Sequence, residues 1–432
     1  MIIAGLRLSQ GGGIALIRDG RLEFAVGIAD LNSDPWRSRW EGLETIPKLL
    51  AAEGYDVDEI DAWAVDGGHE EAGQPSSTVF PAVTGEFDGG LTASYTAYPR
   101  AGSLAAGAYC TSPFARRSEP SVVLVWDGDR APLLFHVGAD GRIEAGGEVM
   151  TADGDPLEQI ARAVRDWRGE EPVNLCFGGD HALDIQANSS LRAHPAVREL
   201  WVPPFPDASG AAIGAAALHL GRETGLRALD WGVRSGPEVG RNPHLPEGWS
   251  VSPCRPEELG RLLHLTGKPV IFLNGRRKTG PTSLGSRSVL VPAVDVEARA
   301  VLGKLTRGND ARDVPAALCL TEHVAEVFEP GIPDPYRSYE HRVRPEWAER
   351  LPAIAADHGV AVQTVEADDD QVLTAMLSEY QKWSGVPVLC CADAGQPDSG
   401  LFPDAVSAMR QNEIDTIWGS GVLYRRIRCR EA

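Results

Sequence analysis

Val173-Asn174-Leu175-Cys176-Phe177-Gly178-Gly179-Asp180-His181 is a short, mostly apolar run that stops at a glycine-rich polar turn. Such a run reads as a buried strand, and Gly-Gly-Asp-His as the turn that ends it. The same layout recurs upstream. Residues 60–65 run into Asp66-Gly67-Gly68, and residues 121–126 into Asp127-Gly128-Asp129. Between them lie helix-type patterns at 40–53 (Leu43, Ile46, Leu49 and Leu50 on one face), at 101–108 and at 155–167. Strand, Gly/Asp turn and helix in repetition predict a layered α/β architecture.

Working outward, residues 1–8, 14–17 and 21–26 read as strands joined by Ser9-Gln10-Gly11-Gly12-Gly13 and the hairpin signal Asp19-Gly20. Residues 69–99 are rich in Gly, Pro and Ser and predict a surface loop or hairpin. Residues 133–137 form the hairpin partner of 121–126. The small-residue run 209–217 predicts a helix pressed against a sheet, because only small side chains allow that approach. Residues 221–253 are the best candidate for a domain boundary. Beyond it, helices at 256–264 and 371–383 and strands at 269–273, 316–320, 360–365 and 386–390 predict a second α/β unit.

Length and composition agree. A chain of 432 residues exceeds one ordinary hydrophobic core. With 43% hydrophobic and 24% charged residues it has the balance of a soluble globular protein. No apolar run is long enough to span a membrane, and the N-terminus lacks a signal-peptide layout. The net charge of -20 argues against nucleic acid and anionic lipid as partners. Seven cysteines without framework or zinc spacing predict reduced thiols in a cytoplasm, and Cys390-Cys391 reads as buried small hydrophobes.

The stretch Asn174–Ser189, with its Gly-Gly, Ala-Leu and Asn188, resembles the O-carbamoyltransferases of nodulation-factor, cephem, novobiocin-type and aminoglycoside biosynthesis. Collinear blocks extend the likeness over nearly the whole chain: 5–16, 107–114 (GAYCTSPF), 124–128 (LVWDG), 200–206, 210–217, 269–288, 319–328, 343–349 and 384–409. The resemblance implies an actin-like N-terminal domain of RNase H-type lobes over 1–235 and a YrdC-like domain, as in threonylcarbamoyl-adenylate synthases, over 250–432. It further implies that the second domain joins carbamoyl phosphate and ATP into carbamoyl-adenylate. The first then passes the carbamoyl group to a hydroxyl of a small-molecule biosynthetic intermediate at a metal site. A metal there polarises the carbonyl and eases deprotonation of the hydroxyl.

Several motif positions hold other residues. The family's His-Asp turn reads Gln10-Gly11, and its two metal-binding histidines, four apart, read Arg100 and Leu104. Neither side chain ligates a divalent cation. Asp127 is retained. The second metal carboxylate falls at Ala208, or at Asp207 if the alignment slips by one residue, and one or two carboxylates without imidazoles would hold Mg²⁺ only loosely. The expectation is therefore a transfer pocket lined by Gln10, Arg100 and Asp127, with no metal. His181, flanking the Gly-Gly turn with Asp184, is a candidate acid/base or simply a solvated turn residue. Gly178 and Gly179 are candidates to offer backbone N–H groups to a phosphate. In the donor domain GPRALGNRS becomes Gly280–Ser288, keeping Arg287 and losing the first arginine, and the downstream lysine becomes Arg307. Arg276, Arg277, Lys278, Arg287 and Arg307 make a basic cluster that is either an anion site or ordinary surface charge. Cys391-Ala392-Asp393 replaces Asn-Thr-Ser, and an aspartate there repels phosphate.

Three readings follow: a carbamoyl or related acyl transferase with a rewired, metal-free site; an inactive scaffold paired with an intact paralogue or a homo-oligomer; or a homologue repurposed for other biosynthetic chemistry.

Overall fold

The structure is a computed structural model and describes every residue except 10, 29–39, 41, 68–81, 150–154, 170, 226, 241–243, 306–315, 356–358, 397–398, 412–413 and 428–432. The chain divides into two compact units. Unit 1 takes the chain up to Gly236 together with Thr279–Pro281, and unit 2 takes Pro237–Lys278 and the chain from Thr282 onward.

Unit 1 holds two sheets. The first is built from β1 (Ile2–Arg7), β2 (Gly13–Arg18), β3 (Arg21–Gly27), β4 (Ala62–Asp66), β5 (Val83–Glu86) and β6 (Ser94–Tyr98), in the order β3-β2-β1-β4-β6-β5. The second is built from β7 (Ser121–Val125), β8 (Leu133–Val137), β9 (Ile143–Glu148), β10 (Val173–Gly178) and β11 (Val197–Trp201), in the order β11-β10-β7-β8-β9. Both follow one plan. An antiparallel meander of three strands comes first, and two further strands then add in parallel beside its first strand. Asp19 and Gly20 both adopt positive φ, which the tight β2–β3 hairpin requires. The loop or hairpin expected over 69–99 is the β5–β6 hairpin where it is described; residues 69–81 lie outside the described residues.

Six helices of unit 1 are described: α1 (Thr45–Ala52), α2 (Arg100–Cys110), α3 (Pro113–Arg117), α4 (Pro156–Arg168), α5 (Ile185–Ala193) and α6 (Ala208–Thr224). The small-residue run starts α6 and is buried from Gly210 to Ala217. Its close approaches go to a helix as well as to the expected sheet. A Cβ on Gly5 of β1 would lie 2.0 Å from Ala212 O, and one on Gly214 would lie 1.7 Å from Ser103 O of α2. The placement of the charged groups follows from this frame. Arg7 and Asp66 close β1 and β4, while Asp127 and Asp180 follow β7 and β10 by two residues. Arg100 opens α2. In sheets of this kind, functional groups collect beyond the carboxyl ends of parallel strands.

Unit 2 is one large mixed sheet. Its strands are β12 (Trp249–Pro253), β13 (Val270–Leu273), β14 (Arg287–Pro292), β15 (Ala316–Leu320), β16 (Phe328–Glu329), β17 (Glu340–Val343), β18 (Val360–Val365) and β19 (Val388–Asp393). A two-stranded ribbon, β20 (Gly395–Gln396) and β21 (Ser399–Leu401), precedes β22 (Thr416–Gly419) and β23 (Val422–Arg426). The sheet order is β12-β23-β22-β13-β14-β19-β15-β18-β17-β16. Among its helices, α7 (Pro256–Thr266) and α8 (Ala298–Leu305) come before α9 (Thr321–Val327), α10 (Pro345–Ala348), α11 (Gln371–Ser384) and α12 (Ala405–Gln411). Gly260 lets α7 lie against α11, since a Cβ there would sit 2.2 Å from Met376 O. Cys390 and Cys391 are buried free thiols in β19. No described helix is long and apolar enough to cross a membrane.

Candidate functional site

Opposite charges interlock at the strand ends of unit 1. Arg100 grips Asp127 with two donors: Nε binds one carboxylate oxygen, and Nη2 reaches Oδ1 at 2.9 Å. This forked pairing suits guanidinium and carboxylate geometry, and is stronger than a neutral hydrogen bond. Arg7 pairs with Asp66, whose side chain is fully buried. Arg100 Nη1 lies 3.8 Å from Asp66 Oδ2 and links the two pairs. Neither Arg100 Nη1 nor Asp66 Oδ1 has a hydrogen-bond partner among the described residues.

Asp180 joins from the turn after β10. Its hydrogen bond with Asp127 pushes its pKa up to about 6, helped by partial burial and the Asp127 charge. Burial opposes the charge of Asp127. Hydrogen bonds from Arg100 and Asp180, with the charges of Arg100 and Arg7, nevertheless hold that carboxyl below the usual range. Below about pH 6 the two carboxyls therefore share a proton, which rests on Asp180. Burial, then the Arg100 charge, push Arg7 down from its ordinary value.

The sequence singled out Arg100 and Asp127, and the structure brings them into direct contact. It missed Asp180 as a participant, and Arg7 and Asp66 altogether. The available signal was positional: Asp66, like Asp127, ends an apolar run and is followed by glycine. Gln10 lies outside the described residues. His181 stacks on Trp126 with ring centroids 4.0 Å apart, and its Nε2 meets Gly128 O at 3.0 Å, so the ring secures the turn after β7.

The Gly-Gly turn differs from a phosphate cradle. Gly179 donates its N–H to Pro206 O at 2.7 Å, so that group is committed. Its φ of +103° and a Cβ position 2.1 Å from Trp126 O explain the glycine instead. Gly178 faces Leu104 O of α2, where a Cβ would stand at 3.2 Å. Asn188 is buried and donates to Ala182 O at 2.9 Å, bracing the same loop. Asp207 caps α6 through Ser209.

A divalent cation does not fit this donor set. Arg100 projects a fixed positive charge onto Asp127, the carboxylate such an ion would need. Leu104, one turn further along α2, belongs to the core. Among the described residues no group of three or more His, Cys, Asp or Glu side chains could hold a metal.

Two of the basic residues named for unit 2, Arg287 and Lys278, are committed within it. Arg287 is buried and donates to four carbonyls, those of Asn274, Ser286, Pro237 and Gly275. It shapes the loop between β13 and β14, and these bonds leave it little to offer a ligand. Lys278 Nζ pairs with buried Asp370 at 3.5 Å. Arg276 forms a backbone bridge with Glu238. Arg307 lies outside the described residues.

Comparison with known proteins bears on both units. A family profile described as Carbamoyltransferase C-terminus matches residues 262–426, and one described as Carbamoyltransferase N-terminus matches 159–217. Nodulation protein U of Rhizobium tropici is 30% identical over 561 aligned positions, covering 100% of this chain and 97% of that protein. The alignment is longer than the 432 residues here, so that relative carries internal segments absent from this chain. A 3'-hydroxymethylcephem-O-carbamoyltransferase of Streptomyces clavuligerus is 29% identical over 261 residues, covering 60% of this chain and 50% of the enzyme. A solved structure of a ROK family protein from Streptococcus pneumoniae TIGR4 in complex with sucrose is a distant likeness. It has 12% identity and a TM-score of 0.31, over 52% of this chain and 99% of that one.

Proposed function

We propose that this chain, which belongs to the O-carbamoyltransferase family, transfers a carbamoyl group to a hydroxyl or amine of a small biosynthetic intermediate without a metal. The observation that carries this reading is the Arg100–Asp127 fork with Asp180 bound to it. Arg100 supplies the positive charge that would otherwise come from a cation. Its partly exposed guanidinium is the donor for the carbamoyl oxygen as charge develops there. Asp180, with a pKa of about 6, suits a general base near neutral pH. The acceptor oxygen then bonds to the carbamoyl carbon, the bond from that carbon to the phosphate oxygen breaks, and the hydroxyl proton passes to Asp180.

The shared strand order of the two sheets in unit 1 supports an actin-like reading with RNase H-type lobes, over 1–235. Unit 2, over 250–432, is proposed as the YrdC-like activating domain, with ATP and carbamoyl phosphate as the donor pair. The free, buried thiols among the described residues support a cytoplasmic setting.

The test is incubation with ATP, carbamoyl phosphate and a panel of hydroxylated acceptors, following carbamate esters by mass spectrometry. Product should form in the presence of a chelator, and Asp180→Asn should lower kcat by about 10²-fold. Absence of product from every acceptor, with or without added metal, would contradict it. A second reading, a scaffold paired with an active paralogue or with a second copy of itself, is favoured by the internal commitment of Arg287 and Lys278. It predicts co-purification with an intact carbamoyltransferase or self-association, and no turnover.

A further inference from the structure

At the end of β19, the Asp393 carboxylate receives more donors than a surface aspartate needs. Ser283 gives Asp393 Oδ1 both its N–H, at 3.0 Å, and its hydroxyl, at 2.6 Å. Ser288 Oγ stands 2.7 Å behind the Ser283 hydroxyl, and the β14–β19 register sets Ser288 directly opposite Asp393. Arg337 Nη1 approaches the same Oδ1 at 3.8 Å, while Nη2 donates to Cys391 Sγ at 3.0 Å. Arg337 Nε is buried with no hydrogen-bond partner among the described residues, and its side chain is only 8% exposed. The backbone after Ser283 turns through positive φ at Leu284 and Gly285, which curls the loop around the carboxylate.

An N–H, a serine hydroxyl backed by a second one, and a buried guanidinium form a set suited to a phosphoryl oxygen. Here an oxygen of the chain itself takes that place. We propose that Ser283, Ser288 and Arg337 form an anion site for phosphoryl groups, and that Asp393 is its resident occupant, competing with any phosphorylated ligand. A tethered carboxylate has a high effective concentration and disfavours a second anion beside it. Asp393 thereby decides what unit 2 admits. Phosphoanions enter only when its side chain withdraws, and activated carbamoyl forms there slowly or arrives from a separate activating enzyme.

The inference rests on the reading above only for the chemistry of the ligand. Its test therefore uses inorganic pyrophosphate and no acceptor, and its failure is distinguishable from a failure of transfer. Pyrophosphate is titrated calorimetrically into the full chain and into Asp393→Ser and Asp393→Asn, the latter retaining an acceptor for Ser283 should the serine variant fold poorly. Removing the charge should tighten binding by about tenfold or more. Adding Arg337→Met to either variant should abolish the gain. Wild-type binding as tight as that of the folded variants, or a gain that survives Arg337→Met, would overturn the proposal.

Discussion

Replacing Arg7 by methionine would leave the fully buried Asp66 without its main partner. Removing one member of a buried pair costs about 3–5 kcal/mol, and urea unfolding of Arg7→Met should show a loss of that size. The Asp127–Asp180 pair gives opposite pH signatures. Asp180 is raised to about 6 in the folded chain, so its contribution is most favourable at acidic pH and is lost as pH rises towards 6. Asp127 is held below its ordinary value and stabilises above the unfolded carboxylate range, losing that contribution as pH falls. Carboxyl-carbon NMR of Asp180 should show a midpoint near 6 that drops towards the ordinary range in Asp127→Asn. An unchanged midpoint in that variant would separate the two groups. Arg100 and Asp127 were legible because each occupies a motif position. Arg7, Asp66 and Asp180 were not, because only the parallel pairing of distant strands brings them to one end of a sheet.

The contact between α2 and α6 depends on absent side chains. Gly214→Ala would drive a methyl against Ser103 O, at 1.7 Å for an unshifted backbone. Overpacking of this kind costs about 1–3 kcal/mol or more, and thermal unfolding of the variant should reveal it. Gly232→Ala has open space around its Cβ and no positive φ to oppose it, so it should change stability by under about 0.5 kcal/mol. The small-residue run showed in the sequence that something packs closely there. That the neighbour is a helix as well as a strand could not be read, since both demand the same small side chains. The Gly178-Gly179 turn was ambiguous for a similar reason. Glycine serves a phosphate cradle and a crowded backbone equally, and here the N–H of Gly179 is spent on Pro206 O.

Across the whole chain the alternation of strands, turns and helices made the two α/β units legible, and ordered motif blocks made the family legible. What sequence could not disclose was that charges substituted at separate motif positions meet partners. Arg100 settles on Asp127 in unit 1, and Asp393 settles on Ser283 and Arg337 in unit 2. Two substitutions that look like losses one at a time, Arg100 and Asp393, each face an opposite charge in the fold. If the Arg100 guanidinium replaces a cation, carbamoyl transfer by the intact chain should persist after exhaustive chelation, whereas Arg100→Met should abolish it.

The most direct measurement is titration with Co²⁺, followed by visible absorption, of the wild-type chain and of Arg100→His combined with Leu104→His. That variant frees Asp127 and sets two imidazoles four residues apart on one face of α2. The wild type should give no ligand-field band, and the variant should gain one that Asp127→Asn removes. A saturable band in the wild-type chain that depends on Asp127 would contradict the account, because it would show a metal, and not Arg100, as the cation of the site.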